Sequence, residues 1–177
     1  MSAIATNSRP NRFSFGRAVW FVAIFSLLQL SWQAMHSTVV EYAVIHHGTV
    51  QPAAFLVNLI TPDVHARAEN FSVRAPGGGI NVLNGCEGLE ALFLLIAACV
   101  VAPASSRAKL VGFLIGVPVV FLVNQARILG LFYAYRHDHA LFYPLHATVA
   151  PIAVILCVAA YFYVWLSYNQ RGAAKAT

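Results

Sequence analysis

The chain has 177 residues, enough for one domain, and 59% of them are hydrophobic while only 10% are charged, which excludes an ordinary soluble domain. The formal net charge of +5 does not indicate a nucleic-acid partner, because the charges are sparse and fall in short clusters between apolar runs. That segregation is typical of a protein that crosses a lipid bilayer several times, and three cysteines are too few for a disulfide framework.

The N-terminal part predicts a cytoplasmic tail followed by a membrane anchor. Residues 1–17 are polar and contain three arginines. Residues 18–40 are predicted to be the first span, because the apolar run is too long for a signal-peptide core and lacks a clear cleavage site. Within the more polar segment 41–67, the apolar part 53–60 is too short to cross a bilayer. We expect it to lie at the interface or to pack over the mouth of the bundle.

Residues 70–85 predict a small β-hairpin that leads directly into Cys86. Apolar residues alternate with polar ones on both sides of the segment Pro-Gly-Gly-Gly at 76–79. The alternating apolar residues are Phe71, Val73, Ile80 and Val82. The glycines alone would also fit a loose loop. With the hairpin, Cys86 lies at a rigid strand-to-helix junction at the mouth of a membrane helix.

Three further apolar runs complete the predicted membrane domain. We predict spans over 88–102, 110–135 and 147–166, joined by a polar turn at 105–109 and a loop at 136–144. Residues 167–177 are predicted to be a second cytoplasmic tail. Residues 18–166 are therefore expected to form an all-α integral membrane domain, a bundle of about four transmembrane helices with an extracytoplasmic β-hairpin before Cys86.

The distribution of basic residues predicts the orientation. Both tails and the 105–109 turn together carry seven Lys and Arg residues, whereas the segments on the other side carry three, which are Arg67, Arg74 and Arg136. By the positive-inside rule, both termini are cytoplasmic in a cell inner (cytoplasmic) membrane.

Three candidate site residues from three different spans then converge on the outer leaflet. Cys86 begins the second span and His146 the fourth. Arg127 lies seventeen residues beyond Leu110, about 26 Å along a helix that starts at the inner face of a hydrocarbon core about 30 Å thick. Each residue also has an ordinary interpretation, as a small buried thiol, an interfacial histidine and a snorkelling arginine. A charge inside a span nevertheless indicates function by default.

The three residue types together predict an acyl-transferring cysteine enzyme that needs no cofactor and no metal. A helix N-terminus favours a thiolate at Cys86, His146 would act as general acid and base, and Arg127 would stabilise the oxyanion. Asn124, one turn from Arg127, could orient the guanidinium. Glu87 opposes a thiolate at its neighbour, so we expect its side chain to point to solvent or to pair with a basic group.

These residues stand in sequence contexts that resemble the exosortase/archaeosortase family, most closely its exosortase H branch. The contexts are Asn84-Gly85-Cys86-x-Gly88-x-Glu90-Ala91, Asn124-x-x-Arg127-Ile128-x-x-Leu131-Phe132-Tyr133, and His146 ahead of a last span. The resemblance implies a membrane cysteine protease-transpeptidase with Cys86, Arg127 and His146 as catalytic residues and Asn84, Gly88 and Asn124 in support. The implied substrates are secreted proteins with a C-terminal sorting signal, made of a short motif, a transmembrane helix and a basic tail. They would be cleaved at the outer face of the bilayer and transferred to an acceptor nucleophile that the sequence does not identify.

The competing hypothesis is a non-catalytic membrane protein that binds a metal ion or haem through histidines on its outer side. The available ligands are His46, His47, His65, His137, His139 and His146, but none has a recognisable metal-binding spacing. A structural membrane subunit is a third possibility, and the intramembrane Arg127 argues against it.

Overall fold

A computed structural model describes residues 15–83 and 85–175, with side chains up to Arg171. Most of the predicted N-terminal tail, Asn84 and the last two residues lie outside the described residues. The described chain consists mainly of helices, together with one small sheet. The helices are α1 (Phe15–Gln33), α2 (Val39–Tyr42), α3 (Gln51–Ile60), α4 (Leu89–Val101), α5 (Ser106–His137), α6 (His139–Pro144) and α7 (Ala150–Lys175).

Three helical stretches of the described chain are long and apolar enough to cross a membrane. They are Phe15–Gln33, Ser106–His137 and His139–Arg171. The predicted second span corresponds to α4, an apolar helix of only 13 residues. The membrane character of the fold is therefore clear, while the count of four spans stays a prediction.

Several predicted boundaries differ from the observed helix ends. The first span was predicted to reach residue 40, but α1 ends at Gln33. The segment 136–144 was predicted to be a loop, yet α5 continues through His137. There Asp138 caps α6, its Oδ1 accepting a hydrogen bond from the Ala140 N–H at 2.8 Å.

The last helix extends beyond the predicted fourth span in both directions. A π-helical turn, Leu145–Val149, joins α6 to α7 without a break. The helix also continues to Lys175, whereas 167–177 was predicted to be a polar tail. His146 therefore lies several residues inside a helix and not at its start.

The segment after α1 folds into a continuous helical arm that packs against α5 and the sheet. It consists of α2, the π-helical stretch Ala43–Val50 and α3. The arm buries one face, whose innermost residues are Ile45, Val50, Ala53 and Val57. The apolar run 53–60 forms most of α3 and contacts α5 and the sheet, as expected for a segment that covers the bundle.

The predicted hairpin is confirmed, and it is part of a three-stranded antiparallel sheet. Strands β1 (Arg67–Glu69), β2 (Ser72–Arg74) and β3 (Ile80–Asn81) lie in sequence order. Val73 pairs with Ile80 across β2 and β3, and both side chains are buried. Arg136, in the last turn of α5, donates to the Pro76 carbonyl at 2.7 Å. This bond attaches the hairpin loop to one end of α5.

Buried side chains form two clusters. The first joins the helical arm, the sheet and the part of α5 that follows Gln125, and it includes Cys86, Ile128 and Phe132. The second joins α4, α5 and α7 around Leu95, Cys99 and Val120. Cys86 is thus part of the sheet-side cluster, while Cys99 lies in the other.

Candidate active site

Cys86 lies in a tight turn between the sheet and α4. The Val82 N–H donates to the Phe71 carbonyl at 2.7 Å, which continues the sheet pairing one residue past β3. The Cys86 N–H donates to the Leu83 carbonyl at 2.9 Å, and α4 begins only at Leu89. The thiol therefore precedes the helix by three residues, at the predicted strand-to-helix junction.

Two glycines give this turn its shape. Gly85 and Gly88 have φ angles of 88° and 85°, in the left-handed region that glycine adopts without strain. Gly88 is also the residue that caps α4. A Cβ at position 88 would lie 2.7 Å from the Asn124 Cγ, so a side chain is excluded there by backbone conformation and by contact.

Asn124, on α5, fixes the main chain of the turn. Its Nδ2 donates to the Cys86 carbonyl at 3.1 Å, and the residue is only 2% exposed. Asn124 was expected to orient the Arg127 guanidinium, but the structure shows no hydrogen bond between these two described residues. Asn124 and Arg127 are neighbours on one face of α5, and each donates to a backbone carbonyl of the Cys86 turn.

Arg127 contacts the turn at two points. Its Nη1 donates to the Gly85 carbonyl at 3.0 Å, and its Nη2 lies 3.6 Å from the Cys86 Sγ. Its buried Nε has no hydrogen-bond partner among the described residues. The guanidinium therefore lies beside the Cys86 sulfur.

His146, in the π-helical turn Leu145–Val149, also lies beside Cys86. Its Nδ1 lies 3.9 Å from the Cys86 Sγ, and its ring stacks on Phe142 at a centroid distance of 5.4 Å. His146 is part of the π-helical turn, and Phe142, one turn earlier in the chain, packs against its ring. For Nδ1 to accept the thiol proton, the neutral imidazole must carry its own proton on Nε2.

The surroundings of Cys86 hold its proton more firmly than expected. Burial raises the pKa of the Cys86 thiol, the Arg127 guanidinium lowers it, and the carboxylates of Glu87 and Glu90 raise it again, with a net upward shift. The expectation that a helix N-terminus makes Cys86 a thiolate is wrong. The thiol is outside the helix, and burial outweighs the nearby guanidinium.

Glu87 occupies neither of the environments expected for it. The side chain is buried, at 8% exposure, and its Oε1 accepts a hydrogen bond from the Trp32 indole N–H at 3.0 Å. Its Oε2 is buried without a partner among the described residues. Sequence reasoning missed Trp32, because a tryptophan near a span end is also typical of an interfacial aromatic belt.

The histidines considered as metal ligands are engaged elsewhere or lie apart. His46 Nδ1 lies 2.6 Å from the Asn70 carbonyl, and His47 Nδ1 lies 2.9 Å from the Gln51 Oε1. Within residues 15–83 and 85–175, no three His, Cys, Asp or Glu side chains are grouped so that they could hold a metal ion.

Comparison with protein families gives a match that covers most of the chain. Residues 12–163 match the family model described as transmembrane exosortase (Exosortase_EpsH), a range that contains Cys86, Arg127 and His146. No curated protein and no solved structure gives a match.

Proposed function

The chain belongs to the transmembrane exosortase family, and from that premise we propose that it is a membrane cysteine peptidase and transpeptidase. Its proposed substrates are secreted proteins with a C-terminal sorting signal that consists of a short motif, a transmembrane helix and a basic tail. Cys86 is the proposed nucleophile, His146 the general acid and base, and Arg127 the stabiliser of developing negative charge.

The observation that carries the proposal is the position of one sulfur between two groups of complementary function. The Cys86 Sγ lies 3.9 Å from a histidine nitrogen and 3.6 Å from a guanidinium nitrogen, although the three residues come from separate elements. A neighbouring base and a neighbouring cation each activate a sulfur nucleophile.

The first chemical step is attack of the sulfur on the substrate carbonyl. Because the resting thiol keeps its proton, His146 Nδ1 takes that proton as the C–S bond forms. The electron pair of the C=O π bond moves to the oxygen, which becomes an oxyanion as the tetrahedral intermediate forms. The guanidinium of Arg127 is adjacent to the sulfur and close to the site of this new charge, where it stabilises the oxyanion.

The second step releases the sorting signal and leaves an acyl-enzyme. The C–N bond breaks, the leaving amine takes the proton from His146, and the substrate remains on Cys86 as a thioester. His146 then removes a proton from the acceptor, which attacks the thioester and frees the Cys86 thiol. Water as acceptor gives hydrolysis, and an amine or hydroxyl group gives transfer.

The proposed placement has the sheet and the Cys86 turn at the outer face of the cytoplasmic membrane, with both termini cytoplasmic. The bias of Lys and Arg towards the tails and the 105–109 turn supports this orientation. As a fourth span α4 is short, about 20 Å long, and a span of this length is accommodated by local thinning of the bilayer, which leaves the Cys86 turn at the outer face. A substrate helix beside the bundle would then present its motif to Cys86.

The test is cleavage of a co-expressed secreted reporter that ends in such a sorting signal. We expect the wild-type protein to shorten the reporter and Cys86→Ala to leave it intact. Cys99→Ala and Cys157→Ala are the matched controls, because both residues lie within helices α4 and α7, and both should cleave normally. Cleavage by Cys86→Ala at the wild-type rate would contradict the proposal.

A further inference from the structure

Helix α1 has one buried side chain, and its hydrogen bond reaches the residue that follows Cys86. Among the 19 residues of α1, all of which the structure describes, only Trp32 is buried. Its indole N–H donates to the Glu87 Oε1 at 3.0 Å. The helix packs along α4, directly after the Cys86 turn. The single buried side chain of α1 therefore holds the turn that carries the thiol.

Glu87 is in an unusual position for a carboxylate. It is buried, and the indole is the one hydrogen-bond donor that the described residues provide to its side chain. Burying a carboxylate with a single hydrogen-bond donor destabilises the folded state. Glutamine or an apolar residue at position 87 would avoid this desolvation penalty if the position were purely structural. Glu87 directly follows Cys86 in the chain, and both residues are buried, so its charge acts on the thiol with little screening by water.

We propose that Trp32 and Glu87 form a positioning pair, in which Trp32 anchors the Cys86 turn to α1 and the buried Glu87 carboxylate sets the reactivity of the thiol. The proposal rests on the proposed function in taking Cys86 as the nucleophile. Neither residue is required to touch the substrate.

The electrostatic part follows from the groups that face Cys86. They are Glu87 in the turn, Glu90 on α4, Arg127 on α5 and His146 in the π-helical turn. Burial is the largest cause of the raised pKa of the Cys86 thiol, and Arg127 lowers that pKa. Of the two carboxylates that raise it, Glu87 has the larger effect. Removing the Glu87 charge while keeping its shape should therefore lower that pKa.

The test of the charge uses the intact protein with Cys99 and Cys157 replaced by alanine, so that Cys86 is its sole thiol. The rate of modification by methyl methanethiosulfonate is measured from pH 6 to pH 10. Glu87→Gln retains an oxygen for the indole, and we expect its profile to shift to lower pH. At pH 7 the modification should be roughly threefold faster, since the larger thiolate fraction is partly offset by lower nucleophilicity.

Glu90→Gln is the matched control for the charge. Glu90 lies three residues after Glu87 and is exposed, so its substitution should shift the modification profile of Cys86 less. If Glu87→Gln does not accumulate, Glu87→Met is the second charge-free variant. Its modification profile must shift to lower pH in the same way. An unchanged profile for the charge-free variant would overturn the electrostatic role of Glu87.

The anchoring role is tested by hydrogen exchange of the segment 82–88. Trp32→Phe keeps the aromatic ring but removes the donor, so the amide of Cys86 should exchange at least tenfold faster. Trp20→Phe is the matched control, because Trp20 lies on the same helix at 67% exposure. Equal protection in the Trp32→Phe and wild-type proteins would overturn the anchor. Both readouts need no substrate, so they give a result even if no sorting signal is cleaved.

Discussion

The side-chain amide of Asn124 lies against Gly88 so closely that a Cβ on Gly88 would come within 2.7 Å of the Asn124 Cγ. This contact brings α5 against the turn that carries Cys86. It also allows the Asn124 Nδ2 to reach the Cys86 carbonyl at 3.1 Å. The position of the thiol therefore depends on the absence of a side chain two residues away.

Gly88→Ala should displace the Cys86 turn. A residue other than glycine at a φ of 85° costs on the order of 1–3 kcal/mol, and here the methyl group would also collide with Asn124. We expect a lower thermal unfolding midpoint and strongly reduced cleavage of a sorting-signal reporter. Gly130→Ala, on α5, is the control, because a Cβ there meets nothing within 4 Å and alanine favours the helix. Equal behaviour of the two variants would show that the close contact is unimportant.

Arg127→Lys should accumulate in the membrane normally yet cleave poorly. The guanidinium donates at once to the Gly85 carbonyl and towards the Cys86 Sγ, and a single ammonium group cannot reproduce this planar arrangement. Loss of such a donor typically reduces the rate by about a hundredfold to a thousandfold. The measurement is membrane abundance together with reporter cleavage. Near-normal cleavage would assign Arg127 to snorkelling and leave a dyad of Cys86 and His146.

Arg127→Ala should change the pH dependence of the Cys86 thiol in the opposite direction from a substitution of Glu87. The guanidinium lowers the pKa of the thiol, so its removal raises that pKa further and a higher pH is needed for the same thiolate fraction. The modification rate of Cys86 by methyl methanethiosulfonate should therefore shift to higher pH. An unchanged profile would mean that the charge of Arg127 does not act on the thiol.

The elements that the sequence predicted well have strong periodic signals. Alternating apolar residues on both sides of a glycine-rich turn predicted the hairpin, in which Val73 and Ile80 are paired and buried. A long apolar run likewise predicted the helix that contains Arg127, whereas His146 was expected just ahead of the last span and lies inside a continuous helix. The proximity of these residues to Cys86 followed from helix length and the direction of each span, without side-chain geometry.

The missed features depend on tertiary contacts or on single capping residues. Strand β1 contains Arg-Ala-Glu, which has no apolar alternation and pairs only because β2 is beside it. The helix through 139–144 is started by Asp138, a residue that also occurs commonly in loops. The burial of Glu87 required Trp32, fifty-five residues earlier in the chain, which no local pattern connects to it.

The predicted orientation places the 105–109 turn in the cytoplasm and the segment around Asp138 outside. It rests on the bias of Lys and Arg towards the tails and that turn. The observed α5 joins these two positions through a single long helix, Ser106–His137. Compartment-sensitive reporters fused after Lys109 and after Asp138 should give opposite signals. The same compartment at both positions would mean that α5 does not cross the membrane.

The central claim is that Cys86 carries the substrate as a thioester, and trapping with hydroxylamine tests it most directly. Hydroxylamine added to membranes that contain the enzyme and a sorting-signal reporter competes with the natural acceptor for the thioester. Mass spectrometry of the shortened reporter should then show a C-terminal hydroxamate, formed by the wild type and by Cys99→Ala but not by Cys86→Ala. Normal cleavage with a free carboxylate and no hydroxamate would contradict a Cys86 acyl-enzyme.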